Sequence, residues 1–353
     1  MLSDEPAWWY GVGQQAVARS LEPVARVYGA VAVARFKRAT PFRSKLPVIC
    51  VGNFTAGGTG KTPLAIHIAE RLKVLGERPV FLTRGYGGST KGPQWVDSAR
   101  HSAVETGDEP LLLAQVAPTM VARDRKAGAI AIETQGDLAS VTIMDDGLQN
   151  PALAKDLAFA VVDAKRGLGN GRVIPAGPLR APLAFQLGLC DAIVMNGSDC
   201  TSAFDAQSSL AEDKLRAVFT RPILRARVAP AGDTAWLRDA RLLAFAGIGN
   251  PQRFFDLLAG AKSLDSVTFA DHQALSQDDA RGLLAKAQTA GATLITTEKD
   301  WVRLPATSGP LAELKKASRV LAVRTVVDEQ SVRVLDQLLT STLASHRGNA
   351  STL

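Results

Sequence analysis

The sequence predicts an α/β fold, a doubly wound parallel sheet followed by a second, smaller α/β domain. Three observations predict it. Short apolar runs of strand length alternate with helical segments from Val48 to Met195, the pattern of parallel strands joined by crossover helices. Glycines and charged residues gather at the carboxyl ends of those runs, at Gly52, Arg84, Asp145 and Asp163, where open α/β sheets bind ligands. A change of pattern from about Thr201 to Asp239 then separates a second alternating series from the first. The expected organisation is an arm over 1–45, a first domain over 46–215, a β-type linker over 216–240 and the smaller domain over 241–353.

The chain bounds its own partners. Its 353 residues suffice for two cores, and 46% hydrophobic with 21% charged content is ordinary for a soluble globular protein. A net charge of +7 suits an anionic partner. Cys50, Cys190 and Cys200 show neither metal spacing nor a disulfide framework, which fits a reducing compartment. Four histidines without a Cys/His cluster argue against zinc. No uncharged apolar run approaches the roughly 18 residues of a membrane span. Asp4 and Glu5 open a terminus that lacks a signal-peptide core.

The arm begins with the cluster Trp8-Trp9-Tyr10. Val17, Leu21, Val24, Tyr28 and Val31 then recur at helical spacing, with Pro23 kinking or restarting the helix. Between Pro23 and Ala69 there is no acid, while Arg26, Arg35, Lys37, Arg38, Arg43 and Lys45 fall there. This is the composition of an interfacial helix facing anionic lipid. A helix packed on its own domain through the same stripe would show the same periodicity. The aromatic cluster favours the membrane.

From Val48 an apolar strand enters Gly52-Asn53-Phe54-Thr55-Ala56-Gly57-Gly58-Thr59-Gly60-Lys61-Thr62, and a helix follows. Backbone N–H groups of such a turn converge on phosphate, and the helix N-terminus adds partial positive charge. Lys61 reaches the β- and γ-phosphates of a nucleotide and Thr62 ligates Mg²⁺ in this P-loop reading, with Thr55 to Thr62 as the cradle. The strict pattern has Gly where Thr55 stands. A flexible turn with an incidental lysine is the alternative.

Pro79 to Thr83 reads as a strand ending in Arg84-Gly85-Tyr86-Gly87-Gly88, and Trp95 to Asp97 as a hairpin strand. Gly107-Asp108-Glu109-Pro110 opens a helix with acids at its positive end. Asp108 reads equally as a helix cap or as a base. Thr119 to Ala122 is a strand and Arg123 to Glu133 a helix. Val141 to Met144 delivers Asp145-Asp146-Gly147-Leu148-Gln149, a Walker-B arrangement for Mg²⁺ or else an Asp cap. Arg84, Arg123, Arg125, Arg172 and Arg180 are phosphate clamps or solvated charges.

Strands over 157–163 and 191–195 complete the first series, separated by the long Gly/Pro loop Arg166 to Pro182. Ala217 to Phe219 and Ile223 to Val228 read as connector strands. The second series has strands at 242–246, 267–269, 294–296 and 320–327, and helices at 251–258, at 277–290 and from Gln330. Phe269-Ala270-Asp271-His272 follows a strand, where a lone histidine is an ordinary loop residue or a functional one. In Thr296-Thr297-Glu298-Lys299-Asp300 the lysine directly precedes the aspartate, so guanine specificity has no support.

Together these stretches resemble the tetraacyldisaccharide 4'-kinase family, the lipid A kinases of Gram-negative bacteria. The resemblance also rests on Pro175-Ala176-Gly177-Pro178-Leu179-Arg180, and it runs from Trp8 to about Leu304. It implies a P-loop kinase domain, a β-linker and a smaller α/β domain, docked by the N-terminal helix on the cytoplasmic face of the inner membrane. The implied reaction is ATP- and Mg²⁺-dependent phosphorylation of the 4'-hydroxyl of a tetraacylated glucosamine disaccharide 1-phosphate. Carried over, Lys61 and Thr62 serve the nucleotide and Mg²⁺. Asp145, Asp146 and Gln149 lie at the metal, and Asp108 and His272 form the catalytic pair. Arg84, Tyr86, Glu109, Arg125 and Arg180 are candidate substrate contacts. Asn150 and Gln273 depart from the family's usual residues. No nucleic acid and no obligate protein partner are expected. A P-loop switch, or a membrane module with a vestigial P-loop, are the rival readings.

Overall fold

The computed structural model describes residues 6–11, 13–197, 206–305 and 308–350. Asp4, Glu5, Cys200 and the start of the expected connector at Thr201 lie outside the described residues. The chain builds β1 (Val48–Asn53), β2 (Pro79–Thr83), β3 (Gln94–Trp95), β4 (Thr119–Val121), β5 (Val141–Asp145), β6 (Leu157–Asp163), β7 (Ala192–Gly197) and β8 (Ile223–Pro230). It continues with β9 (Arg241–Ala246), β10 (Ser263–Thr268), β11 (Thr293–Thr297), β12 (Arg319–Leu321) and β13 (Val323–Val327). One sheet runs β13-β8-β7-β6-β1-β5-β2-β4-β3, the other β10-β9-β11-β12. All pairings are parallel except those at the two edges of the large sheet, β13 on β8 and β3 on β4.

The central strands β1, β2, β5, β6 and β7 are buried throughout, as a sheet covered on both faces requires. Successive side chains alternate between two cores. Cys50, Leu82, Met144 and Val162 enter one. Ile49, Val51, Phe81, Ile143 and Phe159 enter the other with Leu64 and Ile68 of the P-loop helix. The strand order places β1 between β5 and β6, so the P-loop and Asp145 emerge side by side at one sheet end.

Three expectations are corrected. Residues 217–219 are not a strand: they follow the helix Ala206–Arg216 as turn and coil, with Phe219 buried as an anchor. The single run at 320–327 is two strands broken at Ala322, β12 in the small sheet and β13 in the large one. Residues 323–350 therefore leave the expected smaller domain. The closing helix Glu329–Ala350 packs Leu335, Leu339 and Leu343 into the large sheet's core. Arg71 of the P-loop helix grips Asp336 with two hydrogen bonds of 3.0 and 2.5 Å.

The third correction concerns the arm. Its helix Glu22–Arg38 carries Pro23 in the first turn, where a missing N–H costs nothing, so Pro23 restarts the helix. The buried face is made by Ala25 and Gly29, and Phe36 meets Phe185 edge-on at 5.3 Å. Of the expected stripe Leu21 is half-buried, while Val24, Tyr28 and Val31 point away at 57%, 46% and 61% exposed, and Val27 joins them at 66% to make an exposed valine stripe. It is not core. The tryptophans do the opposite, for both indole N–H groups of Trp8 and Trp9 donate to the Pro175 carbonyl, at 3.3 and 3.2 Å, and Trp9 is buried. The aromatic cluster thus anchors the arm to the protein instead of marking a lipid face. Among the described residues no helix is long and apolar enough to cross a membrane.

Candidate active site

The P-loop turns out of β1 and into the helix Lys61–Val74, whose first residue is preceded by Gly60 at φ +88°. A Cβ there would fall 2.2 Å from Asn196 Nδ2, so glycine is required on both counts. No side chain caps this helix, which leaves its N-terminal amides for an anion. Thr55 has no positive φ and bridges to Leu179, so the position that the strict motif gives to glycine accepts threonine here. The Ala56 N–H donates to the Pro178 carbonyl at 2.8 Å, and Arg180 Nε donates to the Thr55 carbonyl at 3.1 Å. Thr55 and Ala56 are tied to the 166–182 loop, whereas Gly57 to Thr62 shape the concavity. Asn53 Nδ2 steadies it from below through Thr59 Oγ1 at 3.2 Å.

Asp145 ends β5 fully buried, and neither carboxylate oxygen has a hydrogen-bond partner. Burial, with the Glu109 and Asp146 carboxylates nearby, pushes its pKa up to about 7 against the pull of Lys61 and Lys299. An uncompensated buried carboxylate is costly. A divalent cation beside Thr62 would satisfy it, and the hard oxygen donors suit Mg²⁺. Asp146, at φ +51°, turns the other way and takes Arg180 Nη1 at 2.7 Å and Lys61 Nζ at 3.8 Å. Burial opposes its charge, but Arg180 and Lys61 outweigh it and hold the carboxyl well below the usual range. Gln149 Nε2 donates to the Asn53 carbonyl at 2.7 Å and to Gln186 Oε1 at 2.6 Å. Arg125 is 2% exposed, and its Nε lacks a partner while Asp146 and Asp145 lie within its field.

The second sheet closes on this centre. Asp108 opens the helix Asp108–Ala114 and is 3% exposed. His272, in the loop after β10 at φ +60°, puts Nδ1 3.4 Å from Asp108 Oδ2. Arg303 Nε reaches the same oxygen at 2.9 Å. Lys299 Nζ pairs with Glu109 at 2.5 Å. Tyr86 stands edge-on to the His272 ring at 5.1 Å, and Arg84, two residues earlier in the chain, is exposed. Behind the P-loop, Arg253 donates to the Asn196 carbonyl at 2.6 Å and the Thr59 carbonyl at 3.4 Å. Lys61, Thr62, Asp145, Asp146, Gln149, Arg125 and Arg180 thus gather at the large sheet, and Asp108, Glu109, Tyr86 and His272 at the seam.

Sequence reasoning missed Arg303, Arg253, Gln186 and any role for Lys299. Only Lys299 lay in a motif that had been singled out. Arg303 carries no local signal of function: beside its i,i+3 partner Asp300, it reaches His272, Gly247 and Asp108, which are 31, 56 and 195 residues away.

A phosphate loop, a buried carboxylate beside it, and an aspartate of the large-sheet unit met by a histidine from the second sheet are the parts of a P-loop kinase. Residues 17–341 match the family model described as LpxK, tetraacyldisaccharide-1-P 4'-kinase, and the chain belongs to that family. It is 49% identical over 304 residues to a tetraacyldisaccharide 4'-kinase of Methylobacterium nodulans, covering 85% of this chain and 87% of that one. It is 46% identical over 329 residues to one of Methylorubrum extorquens (strain PA1), covering 92% and 97%. Its fold matches the crystal structure of "apo" form LpxK from Aquifex aeolicus in complex with ATP. The TM-score is 0.70 at 24% identity, covering 93% of this chain and 99% of that one.

Proposed function

We propose that the chain transfers the γ-phosphoryl group of ATP to the 4'-hydroxyl of a tetraacylated glucosamine disaccharide 1-phosphate, as a peripheral protein of the cytoplasmic face of the inner membrane. The observation that carries this reading is the pairing of Asp108 with His272 at the seam between the two sheets, next to the Lys61–Asp146 cluster. Gly57 to Thr62 hold the nucleotide phosphates, and Lys61 swings from Asp146 to the transferring group. Thr62 and Asp145 would hold a Mg²⁺ ion, with Asp146 and Gln149 close by, and the ion when bound would neutralise phosphate charge. Asp108 accepts the proton of the attacking hydroxyl, a task within reach of a carboxylate when the transition state is loose and the proton leaves late. Arg84, Tyr86, Glu109, Arg125 and Arg180 line the acceptor side. The exposed valine stripe of the arm lies against lipid, so the acyl chains need not leave the bilayer.

Incubation with labelled ATP and the disaccharide precursor in mixed micelles tests this. Label moves to the lipid, and Lys61→Ala slows transfer by about 10³, as loss of a transition-state charge clamp does. Release of label as free phosphate alone would replace the kinase reading by that of an ATPase switch.

A further inference from the structure

Asp108 receives more donors than a two-member pair accounts for. Its Oδ1 accepts the Glu109 N–H at 2.9 Å. Its Oδ2 faces His272 Nδ1 at 3.4 Å and also takes Arg303 through both Nε, at 2.9 Å, and Nη2. Arg303 ends the helix Glu298–Arg303 of the small sheet, and its side chain is 13% exposed. The remaining nitrogen, Nη1, is fixed by the Gly247 carbonyl at 2.7 Å and Asp300 Oδ1 at 2.9 Å. The same Gly247 carbonyl accepts the His272 N–H at 3.2 Å. Arg303 and His272 therefore hang from one carbonyl and aim at one oxygen.

We infer that Arg303 is a positioning residue for phosphoryl transfer, a two-pronged clamp from the second sheet that sets the orientation of the Asp108 carboxylate. The inference rests on the reading of Asp108 as proton acceptor. Three groups from the small sheet face Asp108: His272, Arg303 and Lys299, the last already paired with Glu109. Asp271 lies 3.6 Å from His272 Nε2 on the far side, and Asp300 shares Arg303. A carboxyl buried this deeply would otherwise take up a proton. Burial does raise its pKa, but the His272 hydrogen bond and the Lys299 and Arg303 charges carry it well below the usual range. His272 supplies positive charge only when protonated, whereas a guanidinium supplies it at every working pH and in a planar fork. Arg303 thus keeps Asp108 ionised and aimed whether or not His272 carries its second proton.

The test is a cycle in the full-length protein: Arg303→Met and Arg303→Lys, each in the wild-type and Asp108→Ala backgrounds, read as lipid phosphorylation with KM for ATP. Arg303→Met lowers kcat by about tenfold or more while KM for ATP moves by less than about threefold, because the lost contact acts on the acceptor side. Arg303→Lys recovers part of the rate, since it keeps the charge but not the fork. In the Asp108→Ala background Arg303→Met costs nothing further, as expected of a residue that acts through Asp108. The acid limb of the Arg303→Met pH–rate profile also lies at higher pH than that of wild type. Near-wild-type turnover of Arg303→Met overturns the assignment, and so does an equal fold-loss in both backgrounds, which would make Arg303 a packing residue. If Arg303→Met does not fold, Arg303→Lys carries the same cycle. Asp108→Ala with near-wild-type turnover would remove the acceptor reading itself, and the clamp with it.

Discussion

His272 shows how much one residue owes to its surroundings. It sits in the left-handed region at φ +60°, uncommon for a non-glycine side chain, and its N–H is held by the Gly247 carbonyl. The hydrogen bond to Asp108 raises its pKa above the usual value; burial opposes this, and the Asp108 and Asp271 charges support it. A histidine whose folded pKa is raised contributes stability fully below its unfolded value, about 6.5, and loses it as pH rises through the folded one. Asp108 stays ionised throughout that window, since its own folded pKa is depressed. Wild type should therefore melt above His272→Gln by roughly 2 °C near pH 5.5, for a contact of about 1 kcal/mol, and the gap should close by pH 9. A gap of constant size from pH 5.5 to 9 would mean that shape, not charge, accounts for the contact. From sequence, Asp108 was equally a cap and His272 an ordinary loop residue; only the family resemblance joined them. The P-loop and Asp145-Asp146 were legible because their chemistry is local, a glycine turn and a strand end. Arg303 was not, because its contact with Asp108 exists only where the two sheets meet.

At the scale of the element, the arm helix divides its faces in a way that periodicity alone left open. Small residues, Ala25 and Gly29, let it lie close on Pro182 and Val173, and the branched side chains are left outside. Val24, Val27 and Val31 are each more than half exposed, with Arg26 and Arg35 on the same helix. Moving each valine from water into lipid is favourable by about 1 kcal/mol for the area in question. Replacing all three by Ser should thus weaken partitioning onto anionic vesicles by about 10², and added salt should weaken what remains. Undiminished co-sedimentation of that variant would take the proposed lipid face away from this stripe. Trp8→Ser and Trp9→Ser are different in kind: they strip two donors from the Pro175 carbonyl and loosen the 166–182 loop. The misreading of Trp8 and Trp9 has a plain cause. Indoles suit a membrane interface and a buried carbonyl equally well, having one polar edge on an apolar body.

At the scale of the molecule, the chain passes between the sheets twice, from β8 to β9 and again from β12 to β13. The second passage occupies a single residue, Ala322, inside what reads as one continuous β-forming run. No local pattern marks it, because both halves are pleated and half-buried and differ only in which sheet they join. Two crossings hold the small sheet against the phosphate loop. Gly249 approaches so closely that a Cβ on it would stand 2.9 Å from the Gly58 nitrogen. Arg253 reaches past it to the carbonyls of Thr59 and Asn196, with Asp163 at 3.7 Å. Burial lowers the Arg253 pKa, Asp163 opposes that, and the guanidinium stays charged in any case. The second sheet thus helps to set the shape of the cradle from behind, on the opposite errand to Arg303, which acts at the acceptor. Arg253→Met should leave the Thr59 carbonyl to Asn196 Nδ2 alone, which donates to it at 2.8 Å. Losing a hydrogen bond from a charged donor costs about 1.5 kcal/mol or more, so KM for ATP should rise about tenfold. Turnover at saturating ATP should fall less, because bound nucleotide restores the loop. Measuring kcat and KM for ATP on the two variants separates the two roles. An Arg253→Met enzyme with unchanged KM for ATP and a depressed kcat would move Arg253 from shaping the loop to the transfer step itself.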